Sequence, residues 1–166
     1  MIGFISVLAA VALHELGHIL AARLVGAPLV SLSLKPIGLS MRFDFSRVGY
    51  AAEMLVHAGG SIAGIACALT AALLPCGSLR IFSGLSLCFA ALNLLPIESF
   101  DGGGILRALL SLFLMPDTVW RVCRVFSIVT LVLLWAAVLW AELRIGANLA
   151  LLCFMCGVLV CAVREK

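Results

Sequence analysis

The chain has 166 residues, of which 64% are apolar and only 11% are charged, with a formal net charge of +3. A soluble domain carries about 25% charged residues. This composition therefore excludes an ordinary soluble enzyme, a disordered chain and a nucleic-acid-binding module. Lipid is the expected solvent for most of the surface of this protein.

Long stretches without Asp, Glu, Lys or Arg predict five membrane-spanning helices. A spanning helix needs about 20 mostly apolar residues, and a backbone inside lipid must satisfy its own hydrogen bonds. The expected fold class is therefore an all-α polytopic membrane protein with about five transmembrane helices. Their expected positions are 2–25, 51–74, 79–96, 119–141 and 145–163.

The basic residues predict the orientation of these helices. Nine of the 11 Lys and Arg residues fall on one side of the five-helix arrangement. Basic residues are enriched in cytoplasmic connections. We therefore expect a multi-pass protein of the cell membrane with its N-terminus outside and its C-terminus in the cytoplasm. The positive net charge then indicates orientation and does not indicate a nucleic-acid partner.

The connection between the first two spans has a different pattern. Apolar and polar residues alternate on both sides of a turn at Pro36-Ile37-Gly38. This period of two predicts a short, membrane-associated β-hairpin at about 28–46. The alternative interpretation is an amphipathic loop at the membrane interface.

The first span contains the motif His14-Glu15-Leu16-Gly17-His18. Residues i and i+4 share one face of a helix, so both imidazoles can reach one metal ion. Glu15 is turned about 100° from His14 and can address a water bound to that metal. Two His ligands with a carboxylate base are typical of zinc hydrolases. An ionisable residue inside a span costs at least about 2.5 kcal/mol and is functional by default. The alternative is a structural network of buried polar groups.

A catalytic zinc ion takes three protein ligands and one water, so a third ligand is needed. Asp101 precedes three glycines at the start of a predicted short helix, where backbone can approach closely. Asp101 is also a plausible N-cap of that helix, which is the alternative role for it. The competing candidates for the third ligand are Glu98, Glu53, Asp44 and His57.

Two motifs together resemble a known family. The segment from Asn93 to Gly103 resembles the N-x-x-P-x-x-x-x-D-G motif of the site-2 proteases, which are zinc intramembrane metalloproteases, and 14–18 looks like their H-E-x-x-H helix. The chain is most similar to the stage IV sporulation protein FB branch, whose Leu-x-Pro-x-Gly segment looks like 34–38. The family's Gly-Pro and the Asn that follows it are absent at Gly59-Gly60.

The resemblance covers 1–110, which we interpret as an intramembrane metalloprotease core. The remaining residues, 111–166, are expected to form two C-terminal transmembrane helices. The resemblance implies that Glu15 is the general base and then the proton donor. It also implies that Asn93 and Pro96 shape the third helix, with Asn93 contacting the substrate backbone. The ligands that it implies for one zinc ion per chain are His14, His18 and Asp101.

These features predict a metalloendopeptidase that hydrolyses membrane-associated proteins near the cytoplasmic face. By analogy with the sporulation branch, its substrate is a membrane-tethered pro-sigma factor, and inhibitory membrane proteins regulate it. The edge of the hairpin near Ser31 and Ser33 could bind an unwound substrate as an added strand.

Three alternatives to this function stay open. They are a zinc or divalent-metal transporter, a non-catalytic membrane binding protein, and a different H-E-x-x-H membrane protease. The last of these would need a Glu as its third ligand, for which Glu98 is the candidate.

Overall fold

The computed structural model describes residues 2–35, 38–146, 153 and 155–157. This part of the chain is mostly helical, with one short hairpin after the first helix. The predicted span at 145–163 falls almost entirely outside the described residues. The elements in chain order are α1 (Ile2–Val25), β1 (Leu29–Lys35), β2 (Gly38–Phe43), α2 (Tyr50–Ala72), α3 (Gly77–Asn93), α4 (Asp101–Ser111) and α5 (Pro116–Ile145).

Three of the described helices are long and apolar enough to cross a membrane. Helix α3 has 17 residues, a length of about 25 Å at 1.5 Å per residue, which is short of the hydrocarbon core of about 30 Å. The described residues therefore support a helical, multi-pass membrane protein but do not confirm five spans. The three helices cover Gly3–Val25, Tyr50–Ala72 and Pro116–Arg144.

The predicted hairpin is confirmed. β1 and β2 pair antiparallel, with Lys35 opposite Gly38 at the turn and Leu29 opposite Phe43 at the open end. The register shifts between Leu29 and Ser31. The alternation of polar and apolar residues thus corresponds to a β-hairpin, and the interpretation as an interfacial loop is wrong.

Helices α1 and α2 meet through glycines. A Cβ atom added to Gly59 would lie 2.7 Å from the carbonyl oxygen of Gly17 and 2.8 Å from the Cβ atom of Ala21. Small residues let helix backbones approach closely in lipid, where packing rather than the hydrophobic effect holds helices together. A buried cluster that contains Ala22 and Val56 extends this contact. The H-E-x-x-H face of α1 is therefore held directly against α2.

Because the backbones touch at this crossing, we expect Gly59→Ala to lower the free energy of unfolding by about 1–3 kcal/mol, the usual cost of overpacking. The measurement is the thermal unfolding midpoint of the detergent-purified protein. Gly84→Ala on α3 is the matched control, because a Cβ atom there meets nothing within 4 Å. The control should unfold at the same or a higher temperature, since Ala favours a helix over Gly by up to about 1 kcal/mol. Equal midpoints for Gly59→Ala and the unmodified chain would contradict the close crossing.

Candidate metal centre

Two histidines of α1 point the same way, one turn apart. His14 and His18 are 2% and 6% exposed, and their Nε2 atoms lie 3.1 Å apart. His18 Nδ1 lies 2.7 Å from the carbonyl oxygen of Val56 on α2. A carbonyl oxygen only accepts a hydrogen bond, so Nδ1 of His18 donates and, in the neutral ring, Nε2 keeps the lone pair. Helix α2 therefore sets both the orientation and the tautomer of His18, as outer partners of metal-binding histidines do.

The carboxylate of Asp101 completes the cluster. Its Oδ2 atom lies 3.0 Å from Nε2 of His14 and 3.2 Å from Nε2 of His18, and its side chain is 15% exposed. The expectation that Asp101 is a helix N-cap is wrong, because Phe100 occupies that position and no side chain caps α4. Asp101 is instead the first residue of α4, and its carboxylate faces the two imidazoles rather than the amides of its own helix.

The residues present fit a zinc ion. His14, His18 and Asp101 form a group that could hold a metal ion, and their three ligand atoms are 3.0–3.2 Å apart. Zinc binds nitrogen and oxygen ligands at about 2.0–2.2 Å in a tetrahedron, so its ligand atoms lie about 3.3–3.5 Å apart. A movement of a few tenths of an ångström would thus admit the ion. Two imidazoles with one carboxylate also suit zinc by chemistry.

Glycines bring Asp101 to α1. A Cβ atom on Gly102 would collide with the carbonyl groups of Leu94 and Leu95, and one on Gly103 would collide with the carbonyl group of Ile97. The turn between α3 and α4 is anchored by Ile97, which is fully buried. Because the first turn of α4 has no side chains to displace that turn, α4 begins directly against it and carries Asp101 to the histidines.

Within the described residues, the group of three contains none of the four competing ligand candidates. Three of those four have other partners, and one of these is His57, whose Nε2 atom lies 3.9 Å from Oε1 of Glu53. Glu53 accepts a hydrogen bond from Arg107. Asp44 accepts one from the backbone amide of Ser46 at 2.9 Å, and hydrogen bonds from the Ser46 side chain and amide lower the pKa of Asp44. The competing candidates are Glu98, Glu53, Asp44 and His57.

An open cavity of about 220 Å³ surrounds the three residues. Glu15 and Asn93 both line it. The side-chain amide of Asn93 donates to the carbonyl oxygen of Phe89 at 2.9 Å, so Asn93 also satisfies the end of α3. Pro96 lies in the turn that follows and is not among the lining residues. The structure therefore brings Glu15 and Asn93 into the cavity of the candidate ligands and leaves Pro96 outside its lining.

The hairpin reaches the cavity through its second strand. Ser40 and Met41 of β2 line the cavity. Ser31 and Ser33 lie on β1, are exposed, and are not among the lining residues. The sequence predicted the hairpin but did not predict which of its strands lies at the cavity. Alternation of polar and apolar residues shows which side chains share one face of a strand, but it does not show what that strand packs against.

Gly60 is a second residue that sequence reasoning missed. A Cβ atom at this position would lie 2.6 Å from Nε2 of His14 and would collide with Nε2 of His18. Gly60 thus leaves the space in which the ligand atoms of α1 meet. Its Gly-Gly pair was visible in the sequence, but a contact across two helices leaves no local signal.

The chain matches no protein-family model and no curated protein. Its architecture matches a solved structure, the "Site-2 Protease from Methanocaldococcus jannaschii". The two are 24% identical, with a TM-score of 0.73, over 99% of this chain and 77% of the archaeal one. This chain has the fold of a site-2 protease. The likeness extends along nearly the whole chain, beyond the segments that carry the two motifs.

If Asp101 is the third ligand, Asp101→Ala should weaken zinc binding more than 100-fold, because even outer partners of ligands contribute about 10–100-fold. The measurement is zinc bound per chain after dialysis against a graded chelator. Glu98→Ala is the control, since Glu98 also lines the cavity, and it should keep one zinc per chain. Zinc lost by Glu98→Ala and kept by Asp101→Ala would instead identify Glu98 as the ligand.

Proposed function

We propose that this protein is a zinc-dependent intramembrane metalloendopeptidase that cleaves membrane-associated proteins. The observation that carries the proposal is the convergence of Asp101 of α4 on His14 and His18, with Glu15 in the same cavity. The two histidines and Glu15 lie on α1, which is apolar enough to span a membrane. The site-2 protease fold supports it, because the likeness covers every element that contributes to the cavity.

The residues divide the chemistry between them. A zinc ion held by His14, His18 and Asp101 would supply Lewis-acid chemistry that polarises a peptide carbonyl and activates water near neutral pH. Glu15 would accept a proton as water attacks that carbonyl carbon, and would then deliver it to the departing amine nitrogen. The C–N bond breaks, and the products are a carboxylic acid and an amine. The cavity is open, which gives water the access that hydrolysis needs.

The substrate must be unwound before it is cut, because a helix hides its carbonyl groups in hydrogen bonds. Within the described residues the sheet has two strands, so each strand has an open outer edge. Ser40 and Met41 of β2 line the cavity. We therefore propose that the substrate adds as a strand to the edge of β2, and that Asn93 contacts its backbone.

The biological setting is a further part of the proposal. The distribution of Lys and Arg supports an N-terminus outside, a C-terminus in the cytoplasm and cleavage near the cytoplasmic face of the cell membrane. The resemblance of 34–38 to the sporulation branch supports a membrane-tethered pro-sigma factor as substrate, with inhibitory membrane proteins as regulators.

The direct test of the proposed peptidase is Glu15→Gln. The amide keeps the shape of Glu15 but accepts no proton, so cleavage of a co-expressed membrane-tethered reporter should fall by about 10²–10⁴-fold, the usual contribution of a general base. Zinc content should stay at one per chain. Glu98→Gln is the matched control, because Glu98 is another glutamate that lines the cavity, and it should cleave normally. Zinc bound by the unmodified chain without any cleavage would favour a transporter or a non-catalytic binding protein.

The proposed docking edge can be tested with proline, which removes a backbone donor. Of two successive N–H groups on β2, one points away from β1 and is free to donate to an added substrate strand. Proline at that position removes this donor, so we expect proline at Ser40 or at Met41 to reduce turnover at least about tenfold. Proline at the paired positions on β1, Ser33 and Leu32, disrupts the same ladder and is the control. Zinc content should be normal in all four variants. Turnover lost only in the β1 variants would return the docking edge to Ser31 and Ser33.

A further inference from the structure

An ion pair joins α2 to α4 beside the candidate metal centre. Nη2 of Arg107 donates to Oε1 of Glu53 at 3.2 Å. The Glu53 side chain is 12% exposed and that of Arg107 is 55% exposed. We propose that Glu53 and Arg107 are positioning residues, which hold α4 on α2 so that the carboxylate of Asp101 stays at the metal centre. This inference rests on the metal centre of the proposed function and does not require that the centre cleave peptides.

One face of α2 contacts both the histidine ligand from α1 and the helix that carries Asp101. Val56, whose carbonyl oxygen accepts from His18, follows Glu53 by three residues, and residues at this spacing are neighbours on a helix surface. Through Val56, α2 orients a ligand of α1. Through Glu53 and Arg107, the same face fixes the helix that supplies Asp101. The ligands from two helices are therefore aligned against one common surface.

Helix α4 depends on contacts with other helices, such as this ion pair, to hold its position. It has 11 residues, which is too short to be stable alone. Its first turn contains the three glycines, which bring backbone close but offer no side chain to interlock. The ring of His57 fills the space beside Gly104, where a Cβ atom would lie 2.6 Å from Nδ1. Arg107 is the polar side chain of α4 that reaches across to α2.

The carboxylate end of this pair is the less exposed one, because the Glu53 side chain is 12% exposed and that of Arg107 is 55% exposed. Fully exposed ion pairs contribute little to stability, but a carboxylate that is largely withdrawn from water loses its compensation when its cation is removed. Arg107→Met leaves the Glu53 carboxylate without its cation, with Nε2 of His57 3.9 Å from it. Glu53→Gln leaves no charge behind on α2. The single Arg107 variant should therefore have the larger effect, and adding Glu53→Gln to it should restore part of the loss.

The experiment uses the full chain in detergent and has two readouts that do not depend on cleavage. The first is zinc affinity by chelator competition, which should fall at least about tenfold in Arg107→Met and less in Arg107→Lys. The second is amide hydrogen exchange of the zinc-free protein, which should quicken in α4 and stay unchanged in α1. Arg121→Met, at an exposed arginine of α5, is the matched control and should behave as the unmodified chain in both.

The outcomes separate positioning from general stability. Arg107→Met with unaltered zinc affinity and unaltered exchange in α4 would overturn the inference. Faster exchange throughout α1 as well as α4 would also overturn it, because the pair would then support the whole fold. A chain that binds zinc but cleaves no reporter would refute the proposed peptidase while the zinc and exchange results still decide this inference. If the unmodified chain binds no zinc, exchange in α4 alone decides it.

Discussion

The structure depends on three polar atoms that meet where an apolar helix, α1, borders an open cavity. Two imidazole nitrogens and one carboxylate oxygen lie 3.0–3.2 Å apart, and burying such groups without partners is costly. Neighbouring residues make it possible for the three groups to lie this close together. The carbonyl oxygen of Val56 holds one ring, Gly60 provides the space, and the glycines after Asp101 let the third group arrive. A metal ion would satisfy all three atoms at once by its charge and its coordination geometry.

The other helix contacts are those expected in lipid, where the hydrophobic effect does not drive helices to associate. Many large apolar side chains of the long helices are exposed, as lipid-facing surfaces should be. Helices α2 and α3 are joined instead by buried hydroxyls: Ser61 donates to the carbonyl oxygen of Ala90, and Ser86 donates to that of Gly64. Interhelical hydrogen bonds and small-residue contacts are the usual means of association in lipid. They join α2 to α3 without a contribution from residues that line the cavity.

The sequence predicted those parts of the fold that local physics controls. The length of the first apolar stretch predicted α1 with the bounds observed, and the alternation of polar and apolar residues predicted the hairpin. The spacing within 14–18 placed two histidines on one face, because the periodicity of a helix is fixed. What it could not give depends on contacts between distant segments. Asp101 could be a cap or a ligand until the packing of α4 was known, and the pair of Glu53 with Arg107 joins two helices that no local pattern relates. Most of the last predicted span, 145–163, lies outside the described residues.

The third residue of the candidate metal centre is far from the two histidines in the sequence, and this affects when the centre can form during synthesis. Both histidines belong to the first helix, whereas Asp101 follows α3. During synthesis, the N-terminal part of a chain emerges first. A chain inserted only as far as α3 therefore has a pair of imidazoles and no complete centre. The three groups can meet only once α4 has been made and has packed onto α2, so a chain that ends before α4 holds the two histidines without their carboxylate.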